Sequence, residues 1–167
     1  MPEPKPDAEH ARELVAGVEK IIARTANCWL LSRTEDRIRT RPMGRIPVRP
    51  GEDPWTVRFV TDRRSQKAAD LRQSRQVTLA FQKEDEDAYV SLEGAARLIE
   101  DKEGVQALWH EKYRAHFPTD EDRANAAFIE VKVTRMELWV RGLTSEPFGA
   151  RTTVVLRDAS GGWLCAA

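Results

Sequence analysis

The sequence is poor in the residues from which metal centres and disulfide frameworks are built. It contains two cysteines and three histidines among 167 residues. Cys28 and Cys165 lie near opposite ends of the chain, without a CxxC or other metal-binding spacing. The histidines are scattered and lack the spacing of a metal site or a catalytic triad. We therefore predict no metal site, and because Cys28 precedes the apolar residues 29–31, we expect its thiol to be buried.

An excess of charge and a long apolar run are also missing, and we expect no leader segment. The 27 basic residues equal the 27 acidic ones, so the net charge is zero. A dedicated nucleic-acid-binding protein normally carries a basic excess, so we expect no nucleic-acid partner. No apolar run approaches the roughly 20 residues of a membrane-spanning helix, and the polar, proline-rich residues 1–7 are not typical of a signal peptide. We therefore expect a cytoplasmic protein without a membrane partner.

Hydrophobic periodicity predicts one domain over residues 1–167, in which strands outnumber helices. The predicted helices cover residues 8–24, 65–73 and 101–113. The predicted strands cover residues 27–32, 37–43, 55–61, 76–82 and 88–99, and residues 127–133 and 136–140 give one or two further strands. This pattern is typical of a mainly β fold, a small barrel with peripheral α-helices.

Some segments outside this regular pattern are also predictable. Residues 1–7 are expected to be a flexible lead-in, and residues 115–124 are expected to form a loop. Gly94 interrupts a predicted strand and indicates a bulge or a barrel corner. Residues 141–167 are expected to be a C-terminal extension that ends in a hairpin.

The most informative stretch joins a predicted strand to a predicted helix and reads FVTDRRSQKAADLR, residues 59–72. Ser65 is suited to cap the helix, because its hydroxyl can accept a hydrogen bond from an unpaired amide of the first turn. Lys67 adds a positive charge to a helix N-terminus, which already favours anions. The stretch therefore predicts an anion site, and a phosphate is the anion that we favour. The alternative is an ordinary helix cap with a solvated lysine.

A second stretch, RTRPM at residues 39–43, lies on the preceding predicted strand, so the two stretches could lie side by side. Together they resemble the FMN-binding split-barrel flavoproteins, the relatives of pyridoxamine 5′-phosphate oxidase, and in particular the general stress protein branch. The resemblance covers residues 15–140 approximately. It implies a split β-barrel that binds FMN, with FAD as an alternative, and a homodimer with the flavin at its interface.

The resemblance also implies which residues hold the flavin. The expected phosphate contacts are Thr61, Ser65 and Lys67, and Val60 is a further expected contact of the cofactor. The expected ring contacts are Arg41, Pro42 and Met43, with Trp139 of a late strand as a lid. The less specific candidates are Arg39, Tyr89, Trp109 and Phe117. From the residues alone, Arg41 could instead form a surface ion pair, Trp139 could instead belong to the core, and Trp109 and Phe117 could instead pack a helix or a dimer.

Departures from the oxidase pattern limit the expected activity. True pyridoxamine phosphate oxidases follow the late tryptophan with an Arg-x-His element, whereas VRGLT follows Trp139 here and no histidine occurs after His116. Tyr89 stands where those oxidases carry a flavin-contacting glutamine. Pyridoxamine phosphate oxidation is therefore not expected. We expect an FMN-dependent oxidoreductase that transfers a hydride to or from an unknown small substrate in a stress-related role, with a nicotinamide as a possible electron donor. The alternatives are a flavin-binding or sensing protein without turnover, and a cofactor-free interaction dimer.

Overall fold

Eight β-strands and four α-helices form the part of the chain that the structure, a computed structural model, describes, residues 8–166. The predicted lead-in at residues 1–7 lies outside these residues. The helices are α1 (Ala8–Ala23), α2 (Gln66–Gln73), α3 (Lys102–Leu108) and α4 (Asp120–Ala124). The strands are β1 (Asn27–Arg33), β2 (Ile38–Gly44), β3 (Thr56–Asp62), β4 (Gln76–Lys83), β5 (Ala88–Ile99), β6 (Ala126–Val140), β7 (Thr153–Arg157) and β8 (Trp163–Cys165).

The strands form one antiparallel sheet in the order β2-β1-β4-β5-β6-β7-β8, and β3 pairs with β6 outside this path. Among the named strands, β2 pairs only with β1, and β3 pairs only with β6. The sheet therefore curls but does not close between β2 and β3. An isolated bridge between Ile46 and Arg58 is the sheet contact that β3 makes on its other side. The opening between two edge strands leaves backbone groups unpaired there. The mainly β split-barrel prediction is confirmed.

The core follows from the alternation along each strand. Val77, Leu79 and Phe81 of β4 point inward, whereas the residues between them are partly exposed. The amphipathic helix α1 buries its apolar stripe and packs against β8 at the end of the sheet. The strand register shifts between Glu93 and Gly94, which confirms the bulge. A Cβ at Gly94 would lie 2.0 Å from a backbone oxygen of β6, so no larger residue fits. None of the helices in residues 8–166 is both long and apolar enough to cross a lipid bilayer.

The structure corrects two predicted segments in the second half of the chain and decides a third that was left open. The helix predicted to reach residue 113 ends at Leu108, because Trp109 is extended and a separate 3-10 helix, Glu111–His116, follows. The segment predicted to be a loop contains α4, which Thr119 caps by accepting a hydrogen bond from the Asp122 amide. Of the one or two late strands predicted, the structure has one continuous strand, β6.

The 3-10 helix turns two aromatic side chains inward. Tyr113 and Phe117 are buried in a small second core together with Phe128. This second core lies beside the opening between β2 and β3, because Phe117 also contacts the cavity described below. The predicted terminal hairpin forms β7 and β8, and β7 extends the main sheet by pairing with β6.

Candidate functional site

The junction between β3 and α2 is held in one conformation by local hydrogen bonds. The Asp62 carboxylate accepts from the Arg64 amide at 2.8 Å, and the Asp62 carbonyl accepts from the Ser65 amide at 3.0 Å. The Ser65 hydroxyl caps α2 by accepting from the Ala68 amide at 3.3 Å and lies 3.4 Å from the Thr61 hydroxyl. Each of these two hydroxyls has one hydrogen. One of the two hydrogens can form the hydrogen bond between Thr61 and Ser65, and the other is then available to a ligand.

Lys67 is a partly buried cation without a close counterion. No carboxylate of the described chain lies within ion-pair distance of its Nζ, and the nearby Asp62 carboxylate is bound to Arg64 at 2.6 Å. Burial, and secondly the positive charge of Arg41, lower the pKa of the Lys67 ammonium, and the charge of Asp62 opposes this only in part. A partly buried charge without a partner is unfavourable. An anion at this position would therefore be stabilised.

A cavity of about 530 Å³ opens beside this lysine, at the gap between β2 and β3. Its volume lies within the range of small-molecule sites, about 300–1,000 Å³. It is lined by the end of β2, the end of β3, the first turn of α2 and the end of the 3-10 helix. The lining residues are Asn27, Pro42, Met43, Gly44, Val60, Asp62, Lys67, His116 and Phe117. The site therefore combines an apolar wall, a free strand edge and an unpaired cation.

The two arginines of β2 are paired with a buried carboxylate rather than directed to solvent. Asp70 of α2 is 3% exposed, and it accepts from Arg41 at 2.8 Å and lies 3.5 Å from Arg39. Gln66 donates to the same carboxylate at 3.0 Å. Burial alone would raise the pKa of Asp70, but these hydrogen bonds and the two arginine charges lower it. The charge of Arg41 is thus largely compensated, which leaves Lys67 as the uncompensated cation of the cavity.

One family of known proteins matches most of this chain. The family model described as pyridoxamine 5′-phosphate oxidase like matches residues 13–153. The chain belongs to this family. A comparison with curated proteins finds no match.

Solved structures share the fold. An FMN-binding protein of this family from Nostoc punctiforme is 16% identical, has a TM-score of 0.66 and covers 96% of this chain and 93% of its own. A general stress family protein from Xanthomonas campestris is 22% identical and has a TM-score of 0.64. The match covers 90% of this chain and 97% of that protein. A protein named F420 reductase is 18% identical and has a TM-score of 0.53. The match covers 71% of this chain and 94% of that protein.

Most of the residues assigned through the family resemblance come together, and a few do not. Pro42, Met43, Val60, Lys67 and Phe117 line the cavity. Of the remaining candidates, Thr61 and Ser65 belong to the β3–α2 junction that carries Lys67, and Arg39 and Arg41 are paired with Asp70.

Three aromatic candidates lie outside the cavity lining. Trp139 and Tyr89 are paired across β5 and β6 on the outer face of the sheet, partly exposed and outside the cavity lining. Trp109 lines a different cavity, although its ring lies 5.9 Å from the ring of Phe117. Contact of these three side chains with a flavin stays a prediction.

The structure also brings in residues that the sequence did not single out. Asn27, Gly44 and Asp62 line the cavity. Gly44 and Asp62 are neighbours of predicted residues, so extending each motif by one position would have found them. His116 also reaches the cavity, from the 3-10 helix. The family resemblance had grouped His116 with Trp109, Tyr113 and Phe117, as residues that could wall the site or pack the helix. Within residues 8–166 there is no group of three or more side chains suited to a metal ion.

Proposed function

We propose that this protein binds FMN in the cavity between β2 and β3 and acts as an oxidoreductase on a small substrate. The observation that carries the proposal is the uncompensated, partly buried ammonium of Lys67 beside the Ser65 hydroxyl, at the mouth of a cavity with a free strand edge. FMN matches this arrangement because it has a dianionic phosphate at one end and a flat ring with polar edges at the other.

The phosphate end of the site would use charge-assisted hydrogen bonds. Lys67 would contribute the full positive charge, and the Ser65 or Thr61 hydroxyl would contribute a donor. Each hydrogen bond to a charged group is worth roughly 1.5–3 kcal/mol. The N-terminus of α2 adds a favourable dipole, and Ser65 keeps that first turn in register.

The ring end of the site would use backbone groups and apolar side chains. Pro42 lacks an amide hydrogen, and β2 is an edge strand, so the backbone from Pro42 to Gly44 has groups that face the cavity instead of a neighbouring strand. Met43 and Phe117 supply apolar walls and exclude water from the ring. Bound FMN supplies hydride chemistry to such a site. The exposed imidazole of His116 lies where it can hold or deliver a proton.

The redox part of the proposal has separate support. A solved structure named F420 reductase has the same fold, so this barrel is compatible with electron transfer to or from a bound group. We include a nicotinamide among the possible electron donors. A protein that retains FMN but does not exchange electrons with any donor would instead be a flavin carrier or sensor.

A second copy of the chain would complete the site. Trp29 is 46% exposed and pairs in register with Pro42, a residue of the cavity rim. Tyr89 and Trp139 lie on the same outer face of the sheet as Trp29. A homodimer that covers this face would bury Trp29 and close the open side of the flavin cavity. We therefore propose that the flavin-binding form is a homodimer.

The test is a binding titration with FMN on three proteins. The wild type should retain FMN, and Lys67→Ala should bind it about 10- to 100-fold more weakly, the equivalent of roughly 1.5–3 kcal/mol. Lys132→Ala is the matched control, because it removes the same charge from an exposed position of β6 outside the cavity. Equal affinity of Lys67→Ala and the wild type would contradict the phosphate assignment.

A further inference from the structure

A second cavity, larger than the flavin cavity, lies on the other side of the β3–α2 turn. Its volume is about 790 Å³, against about 530 Å³ for the first. It is enclosed by that turn, by α3 and by α4. Its lining residues are Arg63, Glu100, Lys102, Val105, Gln106, Trp109, Asp120, Arg123, Ala124 and Ala126. The two cavities share no lining residue, so the function proposed above does not use this one.

Three cations line the second cavity. Arg63 is partly buried, and its Nη2 donates to the Glu100 carbonyl at 3.1 Å. Its Nε is buried without a hydrogen-bond partner in the described chain. No carboxylate in residues 8–166 lies within 4 Å of the charged nitrogens of Arg63 or Lys102. A guanidinium held out of bulk water without a counterion favours a bound anion.

The third cation is held in place by an aromatic ring. The Arg123 guanidinium lies over the ring of Trp109 at 4.9 Å, a cation–π contact. Its nearest carboxylate, Glu111, is 3.8 Å away, too far for a hydrogen bond. Arg123 can therefore keep its stacked position and still donate from the edge of its guanidinium to a ligand.

The carboxylates of the lining do not cancel this charge. Glu100 and Asp120 line the cavity together with Arg63, Lys102 and Arg123, which is two negative charges against three positive ones. Two charges outside the lining offset each other, since Glu100 is paired with Arg72 and Arg123 lies 3.8 Å from Glu111. The cavity therefore has a positive excess.

Apart from Gln106, the uncharged residues of the lining are apolar. Trp109, Val105, Ala124 and Ala126 present ring and methyl surface next to the cations. We infer that this cavity is a second ligand site, which binds a small organic anion with an apolar ring, such as an aromatic carboxylate. The anion is held by Arg63, Lys102 and Arg123, and the ring lies against the apolar wall.

The second site has a direct connection to the first. Trp109 of the second cavity and Phe117 of the flavin cavity are in edge-to-face contact, with 5.9 Å between ring centroids. Arg63 and Asp62, one from each lining, are adjacent residues of the β3–α2 turn. An anion in the second site therefore changes the environment of the flavin cavity without occupying it.

The inference is tested by calorimetric titration with salicylate, an aromatic carboxylate, on protein with and without saturating FMN. Salicylate should bind at one site per chain in both samples, and salicylamide, its neutral analogue, should bind at least fivefold more weakly. Arg63→Gln should weaken salicylate binding at least tenfold. Lys102→Gln should weaken it about threefold, and because Lys102 is exposed, that change leaves the fold intact. Lys132→Gln is the matched control and should bind like the wild type.

Four results would overturn the inference. No binding of salicylate, or equal binding of salicylamide, would show that the cationic lining selects no anion. Equal binding by Lys102→Gln and Lys132→Gln would place the salicylate elsewhere. Loss of salicylate binding in the FMN-saturated sample would show that both ligands compete for one site. A protein that binds salicylate as described but retains no FMN would contradict the proposed flavin function and leave the second site standing.

Discussion

The Arg41 guanidinium donates a hydrogen bond to the buried Asp70 carboxylate at 2.8 Å and so joins the edge strand β2 to helix α2. Arg41 also donates to the Ser32 hydroxyl of β1 at 3.1 Å, which fixes the direction of its side chain. β2 carries the residues expected to contact the flavin ring, and α2 carries Lys67, the expected phosphate ligand. Asp70 therefore sets the distance between the two halves of the proposed flavin site.

Asp70→Asn should destabilise the protein by about 2–3 kcal/mol. Removal of one partner from a fully buried ion pair costs about 3–5 kcal/mol, but the Arg41 side chain is 18% exposed and is partly solvated. Urea denaturation measures the change in the free energy of unfolding. The pair Asp36–Arg37 provides the control, since both side chains are exposed and Asp36→Asn should unfold like the wild type.

The same variant has a predicted pH dependence. The pKa of Asp70 is lowered in the folded protein, so its contribution to stability is present above its unfolded-state pKa and is lost as the pH falls through the folded-state pKa. The difference in stability between the wild type and Asp70→Asn should therefore be constant near neutral pH and shrink below the ordinary aspartate pKa of 3.8. A difference that grows on acidification would contradict the account of this ion pair.

FMN affinity should fall at alkaline pH because of Lys67. A phosphate binds the charged ammonium, so affinity declines once the pH passes the pKa of Lys67 in the free protein. Burial, and secondly Arg41, lower that pKa from the ordinary value of 10.5, so the decline should begin below pH 10.5. Affinity should also rise between about pH 5 and pH 7 as the phosphate loses its second proton. Fluorescence titration of FMN across this pH range measures both limbs.

The matched variant for this prediction is Lys67→Arg. Arginine stays protonated throughout this pH range, so the alkaline decline should disappear while the acidic limb remains. An identical alkaline decline in Lys67→Arg would assign it to another group or to unfolding, and circular dichroism at each pH separates those two explanations.

The proposed flavin site was predictable from sequence only where local structure determines it. The strand–turn–helix junction is fixed by nearby residues, so Ser65 as the helix cap and Lys67 in the first turn were found correctly. Arg41 was a candidate, but its partner Asp70 lies 29 residues away, and no local pattern shows that the two side chains meet. The buried Glu130, which pairs with Arg58 and Arg97 from two neighbouring strands, was missed for the same reason.

The strand pattern of the fold was predicted better than the detailed structure of the second half of the chain. Alternating strands and the Gly94 bulge follow from side-chain periodicity, which a single sequence contains. The helix end at Leu108 does not follow from periodicity, because the chain turns there to bury Tyr113 and Phe117 against Phe128. That tertiary contact outweighs the helical pattern of the segment and brings His116 to the cavity.

Trp29→Ser should convert the proposed dimer to a monomer and weaken FMN retention. The exposed indole is the largest apolar group next to the cavity rim, and large aromatic side chains contribute most of the binding energy at interfaces. Light scattering measures the mass of both proteins. Ile38→Ser removes another exposed apolar side chain, at the far end of β2, and should stay dimeric. A wild type that is monomeric and still retains FMN would contradict the dimer proposal.

The two cysteines should differ strongly in reactivity. Burial raises the pKa of the Cys28 thiol to about 12, and the charge of Arg45 opposes this only weakly. At pH 8 about one Cys28 thiol in ten thousand would be ionised, whereas Cys165 is partly exposed. A chromogenic disulfide reagent should label one thiol per chain rapidly, and the second should react only on unfolding. The variant Cys165→Ser should show no rapid phase; a rapid phase in it would contradict the burial of Cys28.

The visible absorption spectrum of the purified protein, recorded after addition of FMN and removal of the excess, tests the central claim most directly. The account predicts oxidised-flavin bands that stay with the protein at about one flavin per chain, and a strong loss of these bands in Lys67→Ala but not in Lys132→Ala. A wild-type protein that remains colourless would contradict it and would reduce the Ser65–Lys67 junction to a helix cap.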